Sequence, residues 1–393
     1  MLTLKKLLLK GSTWLNYYKY YSPLGTLRQV VVDNVIKVLS CKHFHRGHAQ
    51  YQCANQNCSH EKRVPFQCRS RLCSDCGRKA TDQWIATQKS LIPPVPFQHI
   101  TLTMPSQLWP LLKANRSLIG TLSTLAGNIF TAIAKKKKLT PGVFMATHTF
   151  GRKLNWNVHY HVSVTPGGLT KNEQWRSLYY KTKILMKMWR YEVISFLRKK
   201  FADGDLVLPS EYDGQNMHRL FAAQYQKMWR VHCAKPHKNP KKDLEYFARY
   251  IKRAVIANSR LQHYNGQDVL FSYLAHRTKT SRYLEIDVFD FIDRLTQHLP
   301  EKGARLIRYF GFLANRNRAR LLPIVHRLFN SRPPEKPKTH SWQFLMKQKT
   351  GIDPLKCILC QSQLRLSAIN VGLSSFELRQ HHEKLAQNKA IRI

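Results

Sequence analysis

Two short patterns in the chain could do chemistry together: His159-Tyr160-His161, and the pair Tyr246 and Tyr250. Residues two apart on a β-strand point to the same face, so His159 and His161 can aim both imidazoles at one divalent ion. The spacing alone is not distinctive, since His43-x-His45 repeats it. Its surroundings sharpen it. Val162 and Val164 continue a strand, and the preceding run "FMATHTFG" supplies a second strand carrying His148. A loop centred between Lys153 and Leu154 sets His148 opposite His159, on one sheet face. His148 is therefore either a third ligand or a hydrogen-bonded neighbour of the ion. His99, on another strand pattern, is the rival third ligand.

The tyrosines lie in "DLEYFARYIKRAV". Leu244, Phe247, Ala248, Ile251 and Val255 form an apolar helical stripe, and Tyr246, Tyr250 and Arg253 form a second row at i, i+4, i+7. Taken alone, the two phenols are ordinary half-buried packing residues. Taken with an ion site they suggest a mechanism. A phenol with a pKa of about 10 is a poor nucleophile. An ion that polarises a phosphodiester and stabilises the charge of the transition state makes attack feasible. Tyrosine would then carry the 5′ phosphate, conserving the bond energy for resealing, and two tyrosines allow two linked strands. Arg249, Lys252 and Arg253 on the same helix are candidate DNA contacts.

Cysteines carry a third pattern. Six of the nine fall between residues 41 and 76. Cys53-x4-Cys58 and Cys73-x2-Cys76 are two pairs that a hairpin could bring together, and four thiolates in a tetrahedron suit structural Zn²⁺. Cys41 and Cys68 are candidate extra ligands, with His43, His45, His48 and His60 nearby. Such an ion contributes folding free energy rather than catalysis. Arg63, Arg69, Arg71, Arg78 and Lys79 around the pairs suggest contact with DNA. Cys357-x-x-Cys360 is either half a site completed elsewhere or no site.

The elements that must position these residues follow from pattern. Residues 26–40 predict an amphipathic helix, "GRKATDQWIATQKSLI" another, and "PPVP" at 93–96 a linker. "FQHITLTMP" alternates as a strand, and residues 106–134 predict helix. "GVFMATHTFGRKLNWNVHYHVSVTPGG" predicts two strands around a short loop, residues 171–202 a long basic helix, and 238–257 the tyrosine helix. "DVLFSYLAHRTKTSRYLEI" predicts a hairpin, residues 287–330 Arg-rich helix, and the tail from 331 a loose segment. The implied domains are 1–92, helical and zinc-binding; 93–270, catalytic; 271–330, hairpin and basic helices; and 331–393, a basic tail with the last Cys pair.

Composition names the partner. Against 65 Lys and Arg there are only 22 Asp and Glu, a net charge of +43 over 393 residues. That excess points to a polyanion, foremost nucleic acid. The 43% apolar content argues for a globular chain. The N-terminal "KKLLLK" is too short for a secretory signal and no membrane span is visible, so no membrane partner is expected. An intracellular setting keeps the thiols reduced. The oligomeric state stays open.

In this order the zinc cysteines, "FQHITLTMP", "THTFGRKLNWNVHYHVSVTPGG", "YFARYIKRAVIA" and "LIRYFGFLANRNR" resemble the two-tyrosine rolling-circle transposases of bacterial insertion sequences, in the HUH endonuclease superfamily. The resemblance spans roughly residues 35–320. It implies an α+β fold whose central antiparallel sheet carries the histidine pair, flanked by helices and preceded by a small Cys-rich zinc module. It implies that His159 and His161 hold Mg²⁺ or Mn²⁺, and that Tyr246 and Tyr250 are nucleophiles on single-stranded element ends. It also implies a bacterial cytoplasmic, nucleoid-associated protein. Three departures stand out: Asn157 where a further His is frequent, a four-residue spacer in the first Cys pair, and "CSDC" without the usual Pro. The competing expectations are a rolling-circle replication initiator and a zinc-containing DNA-binding regulator without catalysis.

Overall fold

The computed structural model describes residues 1–235, 254–275, 278, 280–332 and 341–388. The chain forms two compact units, each built from segments distant in sequence. One comprises Met1–Lys79, Ala254–Leu299 and Lys336–Ile393, the other Ala80–Arg253 and Pro300–Glu335. This division differs from the four consecutive domains read from the sequence. The hairpin region joins the N-terminal unit, and so does the C-terminal segment.

The second unit is organised by a five-stranded antiparallel sheet in the order Ile307–Gly311, Gly142–Phe150, Trp156–Val164, Gln98–Thr103, Val231–Cys233. Period-two alternation gives each strand two faces. One face buries Ile100, Leu102, Val143, Met145, Val158, Tyr160 and Val162 against the helices Leu118–Lys136 and Thr182–Ala202. Two large polar side chains of that core are tied to backbone: the Tyr160 hydroxyl donates to the Ile119 carbonyl at 3.0 Å, and Trp189 Nε1 donates to the Thr103 carbonyl at 2.9 Å. On the other face Phe97, Phe144 and Ala146 pack with Leu322 and Val325 of the helix Asn315–Leu328. The helix Leu118–Lys136 is long and apolar enough to cross a membrane by length and composition, a property that a helix buried in a core shares. Its Leu122, Ala126, Ile129 and Phe130 are core residues of the sheet packing.

Sequence pattern and structure part company at three places in the described residues. Between the helices Val288–Thr296 and Asn315–Leu328 lies the strand Ile307–Gly311, at the edge of the central sheet. Ile307 and Tyr309 pack on one face and Phe310 on the other, a five-residue alternation hidden in an Arg-rich stretch. The helix expected over 171–202 begins only at Thr182, because Trp175–Ser177 pairs with Gly167–Leu169. The glycine pair permits this: a Cβ on Gly167 would stand 2.7 Å from the Arg176 carbonyl oxygen. The tail is not loose over 341–388. It forms the helices Trp342–Thr350 and Ser375–Asn388 and the strand Leu364–Val371.

In the first unit that strand completes a three-stranded sheet, ordered Leu364–Val371, Gly47–Cys53, Glu61–Pro65. The helix Ser375–Asn388 lays Leu378 against Val32 and Ile36 of the helix Gln29–Leu39. The expected hairpin pairs Asp268–Leu274 with Ser281–Asp287, and Leu261–Tyr264 adds a third strand. Asp287 caps the helix Val288–Thr296 by accepting from the Phe289 and Asp290 amides, and Arg28 donates to the Thr296 and Leu299 carbonyls at the opposite end. Both charges complement the helix dipole.

Candidate metal centres and catalytic face

The histidine pair sits at the middle of the central sheet. His148 is directly paired with His159, the register expected from the loop position, and Thr101 with His161. Because the partners alternate in step, His99, Thr101, His148, His159 and His161 share one face. The opposite residues, Val158, Tyr160 and Val162, are core. His159 Nε2 lies 3.1 Å from His161 Nε2. Two nitrogens at right angles to a common ion, each about 2.1 Å from it, stand about 3.0 Å apart. His148 offers a third nitrogen, all three lying within 4.8 Å of one another.

Neighbouring groups set the tautomers. His159 Nδ1 is 2.9 Å from the Asn157 carbonyl, to which only a protonated nitrogen can bond, so Nε2 keeps its lone pair. His161 Nδ1 faces His99 Nε2 at 3.1 Å. His99 is thus behind His161, where it orients the ring rather than completing the three-nitrogen group. Burial pushes His159 down from its ordinary pKa, and burial with the neighbouring His148, His159 and His99 pushes His161 well down. Burial, with His232 nearby, lowers His99 to about 4. Neutral imidazoles crowded with nitrogen lone pairs inward are what a cation requires.

Asn157 stands beside the pair where a further histidine was the familiar pattern. Its amide oxygen is sealed from solvent with no hydrogen-bond partner among the described residues. The residue lines a cleft of about 450 Å³ with Thr103, Ser106, Trp109, Lys227 and Arg230. Sequence reasoning did not single out the last two. Their signal, a basic pair in "QKMWR", is weak in a chain this rich in Lys and Arg. Arg308 pairs with Met145, on the core face away from the histidines. Tyr246, Tyr250, Arg249, Lys252 and Arg253 lie outside the described residues.

The cysteines separate into two groups, Cys41, Cys68, Cys73 and Cys76, and Cys53, Cys58, Cys357 and Cys360. This corrects the single tetrahedron of Cys53, Cys58, Cys73 and Cys76. The hairpin Gly47–Cys53/Glu61–Pro65 explains why. Cys53 and Cys58 are at its tip, whereas Cys41 and Cys68 flank its base, where Phe66 accepts from the Lys42 amide at 3.2 Å. A ladder from His48/Pro65 to Gln52/Glu61 separates the two ends by on the order of 15 Å.

In the base group, Cys41 follows the helix Gln29–Leu39, and Cys73 and Cys76 open the helix Ser74–Leu91, whose N-terminus favours thiolates. The Sγ separations are 3.8 Å for Cys41–Cys73, 3.9 Å for Cys41–Cys76 and 3.6 Å for Cys68–Cys76. Four sulfurs about 2.3 Å from a tetrahedral zinc lie about 3.8 Å apart. Cys41, Cys73 and Cys76 push the Cys68 thiol up, since four packed thiols cannot all ionise without a cation among them.

Comparison with known proteins identifies the family of the chain. Residues 142–320 match a family described as putative transposase, a window that holds His148, His159, His161, Tyr246 and Tyr250. Residues 13–104 match a transposase zinc-binding domain, a window that includes the base group and ends before Cys357. The chain is 36% identical over 373 residues to the transposase for insertion sequence element IS801 of Pseudomonas savastanoi pv. phaseolicola, covering 94% of this chain and 91% of the relative. It is 26% identical over 331 residues to the putative transposase y4qJ of Sinorhizobium fredii (strain NBRC 101917 / NGR234), covering 80% and 82%. No solved structure matches it. With a transposase window over the histidine sheet and a zinc-binding window over the base cysteines, the chain belongs to the IS91-type rolling-circle transposases of insertion sequences.

Proposed function

We propose that this transposase nicks single-stranded DNA at the ends of its insertion sequence and transfers the strands through 5′-phosphotyrosine links. Its substrate would place its action at the nucleoid, in a bacterial cytoplasm. The observation that carries this reading is the inward-facing nitrogen group of His148, His159 and His161 in the middle of the sheet. The donor set suits Mn²⁺ better than Mg²⁺, because imidazole is a softer ligand than the oxygens Mg²⁺ prefers. When bound, such an ion neutralises and orients the scissile phosphate.

The protein groups have separate tasks. His159 and His161 would hold the ion through Nε2, kept unprotonated by Asn157 and His99. His148 would supply the third nitrogen. Tyr246 or Tyr250 would attack phosphorus through its phenolic oxygen. The new P–O(Tyr) bond forms as the P–O3′ bond breaks, the phenol gives up its proton, and the departing 3′ oxygen takes one up. Attack by a 3′ hydroxyl on the phosphotyrosine reverses the balance, frees the tyrosine and seals a strand. The cleft beside Asn157, with Trp109 to stack on a base and Lys227 and Arg230 to meet phosphate, suits an unpaired strand.

The test is incubation of the purified protein with labelled single-stranded DNA bearing an element end, plus Mn²⁺ or Mg²⁺. A covalent adduct that disappears in the Tyr246→Phe/Tyr250→Phe double variant supports the reading. Binding without an adduct on any end sequence overturns it.

A further inference from the structure

We propose that Cys53, Cys58, Cys357 and Cys360 hold a second zinc ion, which fastens the C-terminal segment to the N-terminal hairpin. Cys53 Sγ is 3.3 Å from Cys360 Sγ, and Cys58 Sγ is 3.8 Å from Cys357 Sγ. All four sulfurs lie within 4.8 Å of one another, close to the spread of a tetrathiolate site. With the base group, this accounts for eight of the nine cysteines and leaves Cys233 apart.

Each pair sits on a closed turn that presents its sulfurs to the other. In the first, the Cys53 amide donates to the His60 carbonyl at 3.1 Å and the Cys58 amide to the Asn55 carbonyl at 3.0 Å. In the second, the Cys357 amide donates to the Ser362 carbonyl at 2.7 Å and the Gln361 amide to the Cys357 carbonyl at 3.0 Å, with Gln361 in the left-handed region. The two turns are tied together by the Ala54 amide, which donates to the Gln363 carbonyl at 2.9 Å. His60 Nδ1 lies 3.1 Å from Cys357 Sγ, placed to donate to a thiolate and hold it in position.

The strand that follows shows what the ion is for. Leu364–Val371 pairs along the whole of Gly47–Cys53, yet it buries almost no apolar surface. Leu366, Ile369 and Val371 are exposed by 54%, 62% and 89%. A strand with so little burial has little to offset the entropy of ordering it. Its partner residues are also some three hundred positions away along the chain, so closing that loop adds a further cost. A metal bond anchors the start of the strand, as the helix Ser375–Asn388 anchors its end. The transposase zinc-binding match ends at residue 104, so the site lies half outside it.

The experiment is elemental analysis of the full-length protein, with alkylation by iodoacetamide mapped by mass spectrometry before and after chelation. The wild type should carry two zinc ions per chain, with Cys357 and Cys360 protected until zinc is removed. The Cys357→Ser/Cys360→Ser and Cys53→Ser/Cys58→Ser variants should each carry one. Should either variant fail to fold, cobalt substitution of the wild type keeps the test alive: two equivalents must enter thiolate sites. One zinc per wild-type chain with Cys357 and Cys360 freely alkylated overturns the proposal, and so does a Cys53–Cys360 disulfide in the purified protein. These readouts use no DNA, so they stand or fall separately from strand cleavage.

Discussion

His161 is held between two imidazoles: its Nε2 is 3.1 Å from His159 Nε2, and its Nδ1 is 3.1 Å from His99 Nε2. One side of the ring can serve an ion while the other is fixed by the protein. Removing His159 and His161 together should therefore abolish metal-dependent nicking. DNA binding should stay within about threefold, because phosphate contacts by a chain of net charge +43 supply most of the affinity. Gel-shift and nicking assays at matched salt check this, and surviving nicking contradicts the metal assignment.

His99 should act as a positioning residue. Changing it to Ala should raise the Mn²⁺ concentration needed for half-maximal nicking about 10- to 100-fold, the usual effect of losing a group that orients a metal ligand. The rate at saturating Mn²⁺ should largely recover. A purely structural role would instead lower the saturating rate and the melting temperature together.

Much of the central sheet was legible because its residues obey local patterns. Period-two alternation marked Gln98–Thr103, apolar runs around a short loop marked Gly142–Phe150 and Trp156–Val164, and a loop-centre argument gave the pairing of His148 with His159. The zinc groups were not legible in the same way. Cys73 belongs with Cys41 and Cys68, whereas Cys53 belongs with Cys360, some three hundred residues away. Sequence spacing records which cysteines share a turn, not which turns meet. Ile307–Gly311 escaped notice for a related reason: a five-residue edge strand in a basic context has too few alternations to stand out, and its partner is far away in sequence.

His382 predicts a pH dependence of the first unit. Its Nε2 accepts from Trp14 Nε1 at 2.7 Å, and burial, with His381 close by, holds it at about 4. Above about pH 6.5 neither the folded nor the unfolded imidazole carries the proton, and the full stability is present. As pH falls from there towards 4, the unfolded chain takes up a proton that the folded one refuses, and stability drops by on the order of 3 kcal/mol. His382→Gln keeps an acceptor for Trp14 but cannot titrate. Its melting temperature should lie below the wild type at pH 7.5, and the gap should narrow by pH 4.5. Parallel pH profiles would contradict the assignment.

Zinc should be structural in the base cysteine group. Stripping it with a strong chelator should unfold the first unit cooperatively, because the ion's binding energy is folding energy for a module of this kind. Cys68→Ser should lower the melting temperature sharply, while Cys233→Ser, outside both groups, should leave it within a few degrees. Circular dichroism melts with and without chelator check this, and an unchanged profile counts against the zinc assignment.

The most direct test of the account is to identify the residue that carries the DNA. A Mn²⁺-dependent adduct on a labelled single-stranded element end can be digested with nuclease and trypsin and sequenced by mass spectrometry. The expected product is a nucleotide joined through its 5′ phosphate to Tyr246 or Tyr250. A nucleotide on any other residue, or on a 3′ phosphate, would contradict it.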